Sequence, residues 1–296
     1  MIKGVCTAIV TPFKKSGEID WISYEKLIEI QVTAGVSGVV VTGTTGESAT
    51  LNLEEKKQLW QKTISLLKGT KTKAIAGTGT NNTLESVEMT QIAQGMGYSD
   101  FLVVTPYYNK PSQEGLYAHY SEIAKNIRGE IILYNVPGRT GVSLSAKTIS
   151  RLFELPQITS IKEATGDLTF LDQIKNEINF DQKTKALLSG DDATTLSFIK
   201  KGGVGCISVA SIVAPQLMVK MVENKDEEIH KKLSDLFKTL FIESNPAPVK
   251  FMLSKMGLVE NILRLPLVPV QKESEQKLNE TLSKFKINQG QLFYDK

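Results

Sequence analysis

Eight short apolar runs recur along the chain, and each ends in a cluster of small or polar residues. They are Val5–Val10, Val39–Val41, Ala74–Ala76, Phe101–Val104, Ile131–Tyr134, Ile158–Lys162, Ala186–Ser189 and Cys206–Val209. The runs are continuous rather than alternating, which is the pattern of parallel strands covered on both faces. Between them apolar residues recur every three to four positions, as on an amphipathic helix. Trp21, Tyr24, Leu27, Ile28 and Val32 do so first, then Leu53–Leu67 with Asn52 as N-cap, and Thr83–Met96 capped by Asn82 or Thr83. Gln113–Ile127, Ser145–Phe153, Leu168–Ile178, Asp192–Lys200 and Pro215–Val222 complete the set. Strand followed by helix, eight times over, predicts an α/β protein with the architecture of a (β/α)8 TIM barrel. A doubly wound open sheet is the alternative, but it needs a switch point and usually has fewer strands.

Beyond Val222 the pattern changes. Glu227–Phe241, Pro246–Met256 and Lys272–Phe285 read as helices, with breaks at Asn245-Pro246, Gly257 and the Pro266/Pro269 pair, and no strand signal is clear. The expected organisation is a catalytic barrel over residues 1–224 and a C-terminal helical appendage over 225–296.

Composition narrows the function. With 296 residues and 41% hydrophobic content the chain can bury a large core. A net charge of +3 without a basic stripe argues against nucleic acid as a partner. No apolar run approaches membrane-spanning length, and the N-terminus lacks the pattern of a signal peptide. Cys6 and Cys206, the only cysteines, have no CxxC partner, which fits a reducing cytoplasm. The two histidines, His119 and His230, lie on helix-like stretches, and no cluster has metal-ligand spacing, so no metal is expected.

In a barrel the active residues sit where the strands end. The run Ile158–Ile161 leads into Lys162, a residue type least often found inside. Its head either escapes to solvent or pairs with Glu163, or it is held in a dry site, ready to attack a carbonyl as the free amine. The other strand ends bear on that choice. TGTTGES, Thr42–Ser48, lacks the ending of a P-loop; its glycines allow a tight turn that gathers Thr44, Thr45 and backbone amides, as a carboxylate requires. TPYYNKPS places Tyr107 and Tyr108 in a proline-bracketed loop, where aromatics more often pack an interface. YNVPGRTG offers Tyr134 as a proton carrier and Arg139 either as a bidentate carboxylate clamp or as a solvated charge. SGDD, Ser189–Asp192, reads as a turn into a helix. An amine, a phenol, two threonines and a clamp, without metal, suit imine chemistry on a 2-oxo acid, with the protonated imine as electron sink.

At these residues the sequence resembles the pyruvate-dependent class I aldolases and lyases, the superfamily that includes N-acetylneuraminate lyase. The likeness runs through AIVTPF, GTTGES, GTGTN, TPYYNKP, YNVPGRTG, IKEATGD, SGDD, GGVGCISV, NPAPVK and RLPLVP. YNVPGRTG narrows it to the dihydrodipicolinate synthase branch, because sialic-acid lyases usually depart from Gly-Arg-Thr there. The resemblance implies condensation of pyruvate with L-aspartate-4-semialdehyde to 4-hydroxy-tetrahydrodipicolinate, in diaminopimelate and lysine biosynthesis, with no cofactor beyond the covalent lysine imine. It implies that Lys162 forms the Schiff base and that Thr44, Tyr134 and Tyr108 relay protons, Tyr108 from a neighbouring subunit. Thr44 and Thr45 would hold the pyruvate carboxylate, Arg139 the semialdehyde carboxylate, and Gly190 and the Ile207 backbone would position ligands. A homotetramer built as a dimer of dimers is implied as well.

Two other readings compete. A sialic-acid or 2-keto-3-deoxy-sugar-acid lyase would keep the imine and change the acceptor, but a polyol needs hydroxyl partners more than Arg139. A non-catalytic 2-oxo-acid sensor would have little need of Lys162, Tyr134, Thr44 and Tyr108 together. Lysine-sensitive relatives bind L-lysine in a cleft that corresponds to Ser48, Ala49, Leu53, Lys56, Asn81, Glu85 and Tyr107. Sensitive enzymes commonly carry histidines where this chain has Leu53 and Lys56, so weak feedback is expected.

Overall fold

A computed structural model describes residues 1–178 and 184–294. Its first eight strands are β1 (Gly4–Ala8), β2 (Gly38–Val41), β3 (Lys73–Gly77), β4 (Asp100–Val104), β5 (Glu130–Asn135), β6 (Ile158–Glu163), β7 (Ala186–Ser189) and β8 (Gly205–Ser208). They close into a parallel barrel in chain order. The helices that follow the strands are α1 (Trp21–Ala34), α2 (Leu53–Leu67), α3 (Thr83–Gly95), α4 (Gln113–Lys125), α5 (Pro137–Thr140), α6 (Ala146–Phe153), α7 (Leu168–Glu177), α8 (Thr195–Lys200) and α9 (Pro215–Asn224). Three more, α10 (Glu227–Thr239), α11 (Ala247–Lys255) and α12 (Lys272–Leu282), follow the barrel.

The helix starts follow from local chemistry. Asn52 and Glu55 exchange hydrogen bonds in a capping box at the start of α2, and Asn82, Ser112, Ser145 and Asp167 each accept an amide at the start of a helix. The short α5 has no amphipathic period to announce it, and Pro137 at its first turn supplies the fixed φ that starts it. Helix α8 begins three residues later than Asp192, after a turn in which the Asp191 carboxylate accepts from the amide and hydroxyl of Thr194.

The chain divides into two compact units, Met1–Lys3 with Ala74–Ile207 and Gly4–Lys73 with Ser208–Lys296. In the first, β3 to β8 run side by side, with Tyr134 of β5 level with Lys162 of β6. In the second, β1 pairs with β2 and α9 packs on β1, where the Thr7 hydroxyl meets Gln31 and Ser211.

The helical appendage is present, and beyond α12 it carries a feature that no sequence signal announced. Past the barrel there is strand: β9 (Lys286–Asn288) and β10 (Gln291–Phe293) form a hairpin. Its turn residues Gln289 and Gly290 both have positive φ, 48° and 72°, as a two-residue hairpin turn demands. Three-residue strands are too short to show an alternating pattern.

Candidate active site

Lys162 is 6% exposed, so its side chain lies almost wholly inside the protein rather than out in solvent. Strand alternation sends Lys162 and Glu163 to opposite faces of β6. Glu163 is engaged elsewhere: its carboxylate accepts from Asn135 Nδ2 at 2.8 Å and from the Thr165 amide at 2.6 Å. Burial pushes the Glu163 carboxyl above its ordinary range, against those hydrogen bonds. The Lys162 ammonium instead lies 4.2 Å from the centroid of the Tyr134 ring, which is equally buried. Amine and phenol therefore occupy facing positions at the ends of neighbouring strands.

Gly190, just after β7, completes this wall. Its amide donates to Glu163 O at 2.7 Å. A Cβ there would stand 2.6 Å from Ala164 Cβ and 3.0 Å from Lys162 Cγ and Cε, so only glycine leaves the lysine its place. Ile207 is buried in β8.

The loops after β4 and β5 are stitched together. The Tyr108 amide donates to Thr140 O at 3.3 Å, and the Thr105 hydroxyl donates to Thr140 Oγ1. Arg139 is exposed on α5. Tyr108, at φ 75°, is 89% exposed, whereas Tyr107 is half-covered. Burial, then the charge of Glu85, pushes the Tyr107 hydroxyl above its ordinary value, while a hydrogen bond involving the Asn81 backbone pulls it down. Asn109 also donates to Asn81 O, at 2.8 Å. Asn81, Glu85 and Tyr107 are thus brought together.

In the other unit, TGTTGES is a strained turn. Thr42 and Glu47 sit at φ 56° and 55°, the left-handed region that non-glycine residues avoid. Side chains pin it at several points. Trp60 donates to Thr42 Oγ1 at 2.8 Å, Thr11 Oγ1 donates to Gly46 O at 2.7 Å, and Asn245 Nδ2 donates to Thr45 Oγ1 at 2.9 Å. The amides of Gly46 and Ser48 donate to Gly43 O, and that of Glu47 to Thr44 O. These three amides therefore turn inward on the loop's own carbonyls; Thr44 and Thr45 form its corner, Thr45 buried and Thr44 half-buried. Ser48 and Ala49 continue into a 3-10 turn, and Leu53 and Lys56 lie on α2, with Leu53 exposed.

Sequence reasoning missed the anchor of this loop. Glu47 is fully buried and ion-paired with the equally buried Lys250 of α11. Lys250 also donates to Ile262 O at 2.9 Å, and the Arg264 amide donates to Glu47 Oε2 at 3.1 Å. Burial pulls the Lys250 ammonium down to about 8, against the opposing pull of Glu47. The Arg264 guanidinium pairs with Glu55 and draws that carboxyl below its ordinary value. Lys250 Nζ and Arg264 Cζ each lie 4.3 Å from the ring centroid of Phe13. A signal existed: Lys250 sits in the apolar run Ala247–Leu253, the same anomaly that marks Lys162. Among the described residues no three His, Cys, Asp or Glu side chains gather as metal ligands, and no helix is long and apolar enough to cross a membrane.

Residues 1–285 match the dihydrodipicolinate synthetase family. The 4-hydroxy-tetrahydrodipicolinate synthase of Thermotoga maritima is 43% identical over 293 residues, which cover 95% of this chain and 98% of that protein. That of Alcanivorax borkumensis is 44% identical over 289 residues, covering 95% and 97%. The crystal structure of the Thermotoga maritima dihydrodipicolinate synthase superposes with a TM-score of 0.92, covering 96% of this chain and 98% of that one. A Cyanidioschyzon merolae structure with lysine bound superposes at 0.91, at 38% identity, covering 95% and 97%.

Proposed function

This chain belongs to the dihydrodipicolinate synthetase family, and from that premise we infer that it is a Schiff-base lyase condensing pyruvate with L-aspartate-4-semialdehyde. The product is 4-hydroxy-tetrahydrodipicolinate, and the reaction serves diaminopimelate and lysine biosynthesis. The observation that carries the reading is a lysine buried at a strand end, its amine against the ring of a tyrosine on the next strand. The Lys162 amine adds to the keto carbon of pyruvate and water leaves. The protonated imine draws electrons from the methyl group, which loses a proton and becomes an enamine. The enamine carbon attacks the aldehyde, whose oxygen takes up a proton to become the 4-hydroxyl. The semialdehyde's amino group then adds to the imine carbon, closes the ring and displaces Lys162. One water is lost overall.

Tyr134, Thr44 and Tyr108 carry the protons, Tyr108 from a neighbouring subunit; its exposure in the single chain is in keeping with that role. Thr44 and Thr45 hold the pyruvate carboxylate, and Arg139 the carboxylate of the semialdehyde. Gly190 keeps Lys162 in place, and the Ile207 backbone helps position the ligand. The working form is a homotetramer, a dimer of dimers, in the cytoplasm, with residues 1–224 as catalytic barrel and 225–296 as appendage. Regulation by L-lysine is weak. Asn81, Glu85 and Tyr107 retain polar groups for it, but Leu53 offers no hydrogen bond and Lys56 repels a ligand with two ammonium groups. The test is trapping: borohydride with pyruvate should inactivate the enzyme and add mass to the peptide carrying Lys162. A label on another lysine refutes the assignment.

A further inference from the structure

We propose that Glu47 is a positioning residue, held by Lys250, which fixes the Thr44–Thr45 corner against the pyruvate carboxylate. The inference rests on the reading of Thr44 and Thr45 given above. An ion pair away from solvent is a poor source of stability, because desolvating both charges offsets their attraction; apolar side chains of similar size often do as well. Glu47 and Lys250 are both wholly buried, and each has a further partner, the Arg264 amide for the carboxylate and Ile262 O for the ammonium. What such a pair supplies is geometry.

The geometry in question is a turn that would not hold by itself. Glu47 stands at φ 55°, a conformation that persists in a non-glycine residue only where its surroundings enforce it. Its side chain reaches Lys250 and the Arg264 amide from that conformation, so release of either partner removes a restraint on it. The link to the substrate corner is direct. The Glu47 amide donates to Thr44 O at 3.1 Å, and the next amide, of Ser48, donates to Gly43 O at 3.3 Å. If Glu47 swings toward an ordinary negative φ, the Ser48 amide leaves Gly43 O, and the turn that the Glu47 amide closes on Thr44 O loses its second bond. Asn245, one residue before the Pro246 that precedes α11, holds Thr45 Oγ1 from the same segment that delivers Lys250. The segment Asn245–Arg264 therefore grips the loop at Thr45, within the corner, and at Glu47, two residues beyond it.

The test compares the wild type with E47Q and with the double variant E47Q/K250M. The double variant removes both charges at nearly constant volume and should keep its melting temperature within a few degrees. Hydrogen exchange at the Gly46, Glu47 and Ser48 amides should quicken by about tenfold or more, and the pyruvate concentration for half-maximal borohydride inactivation should rise by a similar factor. The semialdehyde KM should change less than about twofold. E47Q keeps the Arg264 amide bond but leaves the Lys250 ammonium buried without its anion, so it should move both readouts in the same direction and lower the melting temperature more than the double variant does; it decides the matter should the double variant not fold. Wild-type values of either readout in a folded variant overturn the proposal, and so does faster exchange with unchanged pyruvate dependence. The trapping step needs no acceptor. A wild-type enzyme that traps pyruvate but does not consume the semialdehyde would overturn the proposed reaction and leave the clamp to be decided by these measurements.

Discussion

Gly190→Ala puts one methyl group against Lys162, the lysine proposed to form the imine. Carbon atoms rest about 3.5–4.0 Å apart. The new Cβ would lie 2.6 Å from Ala164 Cβ and 3.0 Å from two carbons of Lys162, shortfalls of about 0.9 and 0.5 Å from the lower limit. The backbone cannot easily yield, since the Gly190 amide is bonded to Glu163 O and the Ala164 amide to Asn135 O. The flexible lysine moves instead. A displacement of about 1 Å at a reacting atom costs about a hundredfold in rate, so imine trapping and kcat should fall on that order. Overpacking of this kind costs about 1–3 kcal/mol, and at about 2–4 °C per kcal/mol in a large domain the melting temperature should drop by several degrees. A second substitution separates the two effects. Ala164→Gly in the Gly190→Ala background removes the shortest contact but leaves both contacts to Lys162. The melting temperature should largely recover and trapping should stay slow. If Gly190→Ala traps pyruvate at the wild-type rate, or the double variant regains rate and stability together, the crowding of Lys162 is not what Gly190 prevents.

Arg139→Ala should raise the semialdehyde KM about tenfold or more and lower kcat, with the pyruvate KM nearly unchanged; equal weakening toward both substrates would count against the clamp. Tyr108→Phe should keep the fold and slow turnover, and mixing it with Lys162→Ala should restore part of the activity through hybrid dimers. No recovery after demonstrated subunit exchange would refute a role across the interface. His119 is buried, with Nδ1 bonded to Thr83 at 2.9 Å, and burial lowers its pKa from 6.5 to about 4. The folded state thus binds fewer protons than the unfolded chain between those values. This group's contribution to stability is complete above pH 6.5 and is lost as pH falls toward 4, by at most about 1.4 kcal/mol per pH unit. Melting temperatures at pH 7.5 and 5 should fall further apart in the wild type than in His119→Gln; equal differences would discard the account.

Lys162 was legible because a lysine in a β-branched run contradicts its surroundings, and the contradiction is local. The barrel was legible for the same kind of reason: the runs and helical periods repeat within windows of a few turns. The Glu47–Lys250 pair was not, because its members lie 203 residues apart and no local period links them. Lys250 carried half of the signal, an unexplained charge in apolar sequence, without a partner to give it meaning. The residue pattern alone does not distinguish the adjacent tyrosines in TPYYNKP, which only the family resemblance gave different roles; a backbone φ of 75° at Tyr108 separates them, leaving one half-covered and the other exposed. The loop after β2 suggested an anion nest from its glycines. Which amides the turn spends on its own carbonyls, those of Gly46, Glu47 and Ser48, depends on backbone geometry that composition does not show.

The division into two units has a consequence for synthesis. Residues 74–207 are contiguous, so β3 to β8 can begin to pair as soon as that stretch has left the ribosome. The segment 4–73 is made before that stretch but belongs with 208–296, made after it. Thr7 in β1 meets Ser211, α9 packs on β1, and Leu292 donates its amide to Val213 O at 2.8 Å. Until those residues emerge, Val5, Cys6, Ala8 and the apolar strand Val39–Val41 lack part of the cover they have in the finished protein. During synthesis residues 4–73 therefore wait with apolar surface in water until 208–296 emerge, and chaperones and unwanted partners both find their targets there.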